Sequence, residues 1–243
     1  MNIVLFEPNE ISSPLSRKDP RALHILEVLR RKNGDTFDAG LYDGPRGKAT
    51  LVHVGEAFLD LKFSWGDPPP ALPPLIFLIG MPRPQTARKI LQEATAMGVA
   101  EFEFVLTDRS EPSYANSSLW TSGEWRRHLQ EGAAQAFCTR IPTLSHGATL
   151  TASLENMPAG GTRIALDNYE APESLTQTLV SAGTPKALPL FLAVGSERGW
   201  SANERTLLRS QGFALAHLGT RVLRTETAVV AAVAVIKSNL GWL

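Results

Sequence analysis

Apolar and polar positions follow two different rhythms along this chain. Up to about residue 67 the apolar residues come in short clusters. "DPRALHILEVLR" sets Leu23, Leu26 and Leu29 on one stripe at helical spacing, with Arg21, Arg30 and Arg31 around the ends, and predicts a helix. "NGDTFDAGLYDGPRGKATLVHVGEAFLDLKFSW" is punctuated by the turn dipeptides Asn33-Gly34 and Asp43-Gly44, and Thr50, Val52 and Val54 fall on alternate positions. Strands this short suggest a small barrel. Five prolines between Pro68 and Pro74 then stiffen the chain and deny it ladder donors, which marks a linker. The expected domains are residues 1–70 and 71–243.

From Leu75 the apolar residues form solid runs separated by amphipathic stretches. "LIFLIG", "FEFVLT", "TRIALD", "LPLFLAVG" and "FALAHLG" read as strands, the first covered on both faces. "QTARKILQEATAMGV" reads as a helix with Ile90, Ala94 and Met97 inward. "TSGEWRRHLQEGAAQAF" reads as a helix opened by a capping box of Thr121 with Glu124, with Trp125, Leu129, Gly132, Ala133 and Ala136 on one face. "SANERTLLRSQG" is a helix capped by Ser201 and Glu204 and stopped by Gly212, and "TETAVVAAVAVIKSNL" is the last helix. Strands alternating with helices predict an α/β fold on a parallel sheet. The last helix is apolar nearly all round, which predicts burial and a subunit interface.

Composition narrows the classes. Hydrophobic residues make up 43% and charged ones 20%, as in an ordinary soluble globular protein. Lysine plus arginine balances aspartate plus glutamate at 24 each, so any nucleic-acid surface must be a local patch. Cys138 is the only cysteine, so an intrachain disulfide and a thiolate metal cluster are excluded. The N-terminus lacks the basic and long apolar regions of a signal peptide, and the longest apolar run, Ala228 to Ile236, is too short for a bilayer. A cytoplasmic protein without a metal is the expectation.

Candidate chemistry sits in two loops. "LAVGSERGWSANE" ends a strand on Gly195, where α/β sheets bind ligands. It has neither the three glycines of G-x-G-x-x-G nor the Gly-Lys-Ser/Thr of a P-loop, and Glu197 occupies the centre where a nucleophile elbow needs serine. Turn-forming glycines and an exposed Glu197–Arg198 pair would account for the residues equally. In "HLGTRVLRTETAVVAAV" another apolar strand ends near Leu218 and Gly219, and Arg224, Thr225 and Glu226 open a helix whose free N–H groups favour anions. A cap with a surface ion pair is the plainer reading.

Taken together, "VGSERGWSANE" followed by "LGTRVLRTETA" resembles the RsmE family, SPOUT-class RNA methyltransferases that methylate N3 of a uridine in 16S ribosomal RNA. The resemblance extends over nearly the whole chain: "HILEVLR" with "NGD" is similar to the N-terminal motif, and "MGV", "TDRS" and "AAQ" with Pro142 follow in order. It implies a PUA-like RNA-binding β-barrel over 1–70 and a SPOUT α/β domain over 71–243 with a C-terminal trefoil knot, an exception to the rule against knots. It implies S-adenosyl-L-methionine (SAM) as cofactor, held by Leu166, Val194, Gly195, Glu197, Gly199, Leu218, Gly219 and Leu223. It further implies a homodimer through the knot and 16S rRNA or the small ribosomal subunit as partner. Arg224 is the candidate for stabilising charge on the base, and Glu226 for orienting Arg224 or taking a proton. Arg17, Arg21, Arg30 and Arg31 are the candidate RNA contacts; a solvated helix face explains any one of them as well. The family turn G-P-E-G-G is altered here by Ser196 and Arg198, and Cys138, Glu93 and Ala96 also depart from the usual pattern. Two other readings fit the same residues: a related SPOUT enzyme with another RNA target, and a non-catalytic RNA-binding or ribosome assembly factor.

Overall fold

The computed structural model describes residues 2–181 and 188–242, which group into two compact units. The first contains β1 (Val4–Phe6), β2 (Leu15–Ser16), α1 (Pro20–Leu23), β3 (Thr36–Leu41), β4 (Arg46–Val54) and β5 (Phe58–Trp65). Its five strands lie in the order β1-β3-β4-β5-β2, with β1 parallel to β3 and the other pairings antiparallel. Phe6, Leu15, Ile25, Phe37, Leu51 and Leu59 fill its core.

Two sequence expectations change in this unit. The stripe Leu23, Leu26, Leu29 is not its buried face: Ala22 and Ile25 are fully buried, and Leu23 is 47% exposed. The reason is a π turn over His24–Val28, in which the Leu29 N–H reaches back to the His24 carbonyl at 2.9 Å. That wider turn shifts the phase on which the spacing argument rested. Residues 130–141, assigned by the linker argument to the second domain, group instead with residues 1–71. Ala133 packs against Ile3 and Leu5, the Ile3 N–H donates to the Ala134 carbonyl, and the Thr139 hydroxyl donates to the Gly44 carbonyl at 2.6 Å. Cys138 lies in this segment, half-buried.

Arg21 is the polar fastening of the first unit. It forms a two-pronged bond with Glu10 (2.7 and 2.6 Å), reaches Asp19 at 2.7 Å and donates to the Leu5 carbonyl at 3.1 Å. Hydrogen bonds from Arg21 hold both carboxyls below their ordinary values despite partial burial. Depressed carboxyl pKa values contribute stability that is complete above the unfolded values, 4.5 and 3.8, and is lost as pH falls through the folded ones. The melting temperature is therefore expected to fall more steeply below pH 4.5 in the native protein than in Arg21→Met. Equal acid slopes in the two thermal-melt series would remove this role.

The second unit contains β6 (Leu75–Gly80), α2 (Pro84–Ala96), β7 (Glu101–Leu106), α3 (Ser118–Thr121), the first residues of α4 (Trp125–Gln135), β8 (Thr143–Thr149), α5 (Leu150–Glu155), β9 (Thr162–Leu166), β10 (Glu173–Ser174), α6 (Leu175–Ser181), β11 (Leu190–Val194), α7 (Ala202–Ser210), β12 (Ala214–His217) and α8 (Thr225–Leu240). Its seven strands form a wholly parallel sheet in the order β10-β12-β9-β11-β6-β7-β8. The unbroken apolar runs form its interior strands, and α8 packs against α2, α6 and β11. The capping box of Ser201 and Glu204 forms on α7. The one expected from Thr121 and Glu124 does not: Thr121 ends α3, and Glu124 accepts from Arg88 Nε at 2.9 Å.

Chain order and sheet order diverge at the site. The chain builds β6, β7 and β8 outward, then adds β9, β11 and β12 on the other side of β6. β9 lies between β11 and β12, and Leu166 is level with both Val194 and Ala216. The carboxyl ends of three neighbouring strands therefore open at one height, where such sheets bind ligands. No helix among the described residues is long and apolar enough to cross a membrane.

Candidate functional site

The loops leaving β9, β11 and β12 line one open cleft, at the strand ends where such sheets bind small molecules. All eight residues assigned to a cofactor lie on it: Leu166, Val194, Gly195, Glu197, Gly199, Leu218, Gly219 and Leu223. They come from three segments as much as 57 residues apart in sequence, the span from Leu166 to Leu223.

The cleft is held by specific fastenings. The indole N–H of Trp200, fully buried, donates to the Leu166 carbonyl at 3.0 Å and ties the second loop to the first. Gly195 permits the tight turn: a Cβ there would stand 2.9 Å from the Gly199 Cα and 3.0 Å from its carbonyl carbon. Those neighbours are backbone and cannot swing aside. Glu197 does not pair with Arg198. Its Oε1 accepts from the Arg83 N–H at 2.9 Å, at the start of α2, where a carboxylate also suits the helix dipole. The Ser196 hydroxyl oxygen is buried at the cleft without a hydrogen-bond partner, a polar atom that a ligand or water would satisfy. Apolar walls, close backbone and an orphan hydroxyl suit a nucleoside-sized ligand.

The resemblance puts the first loop near Leu166 and Asp167, but does not give the bonds by which Asp167 organises it. Asp167 is buried; its Oδ1 accepts from the Tyr169 and Glu170 N–H groups (2.9 and 2.6 Å), and its Oδ2 accepts from Arg205 Nε at 2.7 Å. Arg205, also buried, lies under the Tyr169 ring at 5.2 Å. An aspartate just after a buried strand was the available signal, but its partner 38 residues on was not legible.

The other assigned residues stand apart from the cleft walls. Arg224 is exposed and caps α8 by its backbone, between the lining residues Leu223 and Thr225. Glu226 pairs with Lys89 at 3.3 Å, not with Arg224. Burial would raise the Glu226 pKa, but its own backbone N–H, Lys89 and Arg224 outweigh that and hold it below the ordinary value. In the first unit, Arg17, Arg30 and Arg31 are exposed, with Arg17 donating to the Gly55 carbonyl. Arg21 does not join them, because Glu10 and Asp19 already neutralise it. Among the described residues no group of three or more histidine, cysteine or acidic side chains could hold a metal.

Comparison with known proteins places this geometry in a family. The model of the RNA methyltransferase domain matches residues 69–237. The ribosomal RNA small subunit methyltransferase E of Treponema pallidum is 35% identical over 98% of this chain and 91% of its own length. Ribosomal RNA small subunit methyltransferase E 1 of Borreliella burgdorferi is 29% identical over 99% of each. The crystal structure of the Neisseria gonorrhoeae ribosomal RNA small subunit methyltransferase E bound to S-adenosyl methionine has the same fold, with a TM-score of 0.75 over 97% of each chain at 20% identity. With its family model covering more than half the chain and a relative matching almost all of it, this chain belongs to the ribosomal RNA small subunit methyltransferase E family of RNA methyltransferases.

Proposed function

We propose that this protein is a SAM-dependent methyltransferase acting on N3 of a uridine in 16S ribosomal RNA. The observation that carries the reading is the meeting of eight family-matched residues from three loops in one cleft. Its family membership and relatives named for small-subunit ribosomal RNA support the substrate. Leu166, Val194, Leu218 and Leu223 wall the adenine, and the backbone at Gly195, Gly199 and Gly219 approaches the ribose and the methionine portion. Glu197, held at Arg83, sets the shape of the turn. Bound there, SAM supplies a methyl group on a sulfonium.

Methylation at N3 requires that nitrogen to lose its proton, and negative charge develops on the uracil ring. Arg224, exposed at the start of α8, stabilises that charge. Glu226 is held ionised with its basicity lowered, which makes it a weak proton acceptor and suits it to fixing Lys89 and the local field. RNA is gripped on the first unit by Arg17, Arg30 and Arg31 with Lys18 and Lys32, while Arg21 braces the fold beneath them.

The finer family architecture goes with this reading. The first unit is a PUA-like barrel, the second a SPOUT domain whose C-terminal chain is threaded as a trefoil knot, and two copies associate through the knot region in the cytoplasm. The insertion of β11 between β9 and β6, followed by the return to β12, supports such threading. Small, half-exposed residues on α8, such as Ala231 and Ala234, suit a second copy.

Calorimetry with SAM and mapping of modified uridines in ribosomal RNA from a deletion strain test the reading together. Expected are one SAM site per chain and loss of a single N3-methylated uridine from 16S rRNA. Absence of SAM binding would favour a non-catalytic RNA-binding factor, and an altered site elsewhere a different RNA target. Gly195→Ala is expected to weaken SAM by roughly 30-fold, because overpacking against backbone costs about 1–3 kcal/mol. Unchanged affinity in that variant would mean the turn does not carry the cofactor.

A further inference from the structure

Four residues on the cleft carry formal charge, and only two of them are satisfied. Asp167 is committed to Arg205 and two backbone N–H groups, and Glu197 to Arg83. Arg198 and Arg221 are exposed, and neither has a carboxylate at ion-pair distance among the described residues. The acids are thus neutralised from behind while the guanidiniums face outward, so the lip of the cleft is net cationic. Arg198 is not a loosely held residue: its carbonyl accepts from Arg109 Nη1 at 3.0 Å, and the Gly199 N–H closes the turn onto the Ser196 carbonyl at 2.8 Å.

An aromatic ring stands on the same lip. Tyr169 is 71% exposed, unusual for a side chain of its size. It is nonetheless fixed: the loop beneath it is pinned by Asp167, and Arg205 backs the ring at 5.2 Å. Tyr169 Cε2 lies 3.9 Å from where a Cβ on Gly199 would stand, so the ring borders the turn that carries Arg198. A fixed, exposed ring beside two unpaired guanidiniums matches a nucleotide of a single strand. Bases stack on aromatic faces, and phosphates are taken by arginine.

We propose that Tyr169, Arg198 and Arg221 form the receptor for the RNA strand at the mouth of the cleft, with Tyr169 stacking on a base turned out of its helix and the arginines holding the adjoining phosphates. This rests on the methyltransferase reading and adds a substrate surface to the second unit that is separate from the basic cluster of the first. A base must leave its stack to expose N3, and a stacking surface at the cleft mouth lowers the cost of that state.

The test uses the full-length protein with a fluorescein-labelled oligouridylate, read by anisotropy across a salt series, and SAM titrated separately by calorimetry. Tyr169→Ala is expected to weaken oligouridylate binding about tenfold, and Tyr169→Phe to stay within about twofold of native. Arg198→Gln is expected to lower the slope of log affinity against log salt by about 0.7, the loss of one phosphate contact to a single strand. SAM affinity is expected to remain native in all three, which also establishes that they fold. A fall in SAM affinity matching the fall in RNA affinity would overturn the proposal, assigning the lip to the cofactor. Native oligouridylate binding and salt slope in Tyr169→Ala and Arg198→Gln would overturn it as well, as would failure of the native protein to bind the probe while it binds SAM. If the native protein binds no SAM, the methyltransferase reading fails instead.

Discussion

Arg224→Ala is expected to lower kcat for RNA methylation by about 10²–10³-fold, the loss typical of removing one group that meets developing charge. SAM affinity is expected to be unchanged, because Arg224 caps α8 through its backbone and the cleft walls on either side of it, Leu223 and Thr225, remain. The fold is expected to be unchanged for the same reason: the side chain makes no cap hydrogen bond and is exposed. Arg224→Lys keeps the charge but not the planar fork, and an intermediate rate is expected. Single-turnover kinetics with saturating RNA separate the chemical step from binding. Native single-turnover rates in Arg224→Ala would end its electrostatic role and leave it a phosphate contact, visible then in KM alone.

Asp167→Ala is expected to be the most destabilising single change at the site. Asp167 and Arg205 side chains are 2% and 7% exposed, and their contact is 2.7 Å. Removing one partner of a buried pair leaves a charge with no water, at a cost of about 3–5 kcal/mol. For a chain of this size that corresponds to roughly 10 °C in melting temperature. The variant also frees the Tyr169 and Glu170 N–H groups, so the first loop of the cleft loses its shape. SAM affinity should fall with it. Combining Asp167→Leu with Arg205→Met removes both charges, and recovery of much of the lost melting temperature is expected while the SAM site stays impaired. A melting temperature for Asp167→Ala within about 2 °C of native would show that water or Glu170 satisfies Arg205 in its place.

Arg224 and Asp167 differ in how far the sequence announces them. Arg224 was visible as a residue at the mouth of an anion-friendly helix start, and helix α8 was legible in "TETAVVAAVAVIKSNL" from end to end. Asp167 and Arg205 belong to elements that were each recognised, but nothing in their spacing couples them. The edge strand β8 was not recognised either. It holds "TLSHGAT", with little apolar content, because it borders the sheet and is largely exposed. An edge position needs backbone pairing to β7 rather than side chains that prefer burial, so it leaves no hydrophobic signature.

Local chemistry determined much of this protein from the sequence alone. Solid apolar runs specify strands buried on both faces, the Ser201–Glu204 box specifies the start of α7, and Gly195 with Gly199 specifies a turn that other residues would strain. These depend on neighbours within a few positions, where spacing and geometry are tied together. Tertiary structure alone decided the order β12-β9-β11, which brings three distant loops to one height, and the phase of the helix after Pro20, where a π turn buries Ile25 instead of Leu23. It also decided which charges are spent and which are free. Glu197 turned to Arg83 rather than Arg198, and Arg21 to Glu10 and Asp19, because ion pairs form between side chains that the fold makes adjacent, whatever their separation along the chain.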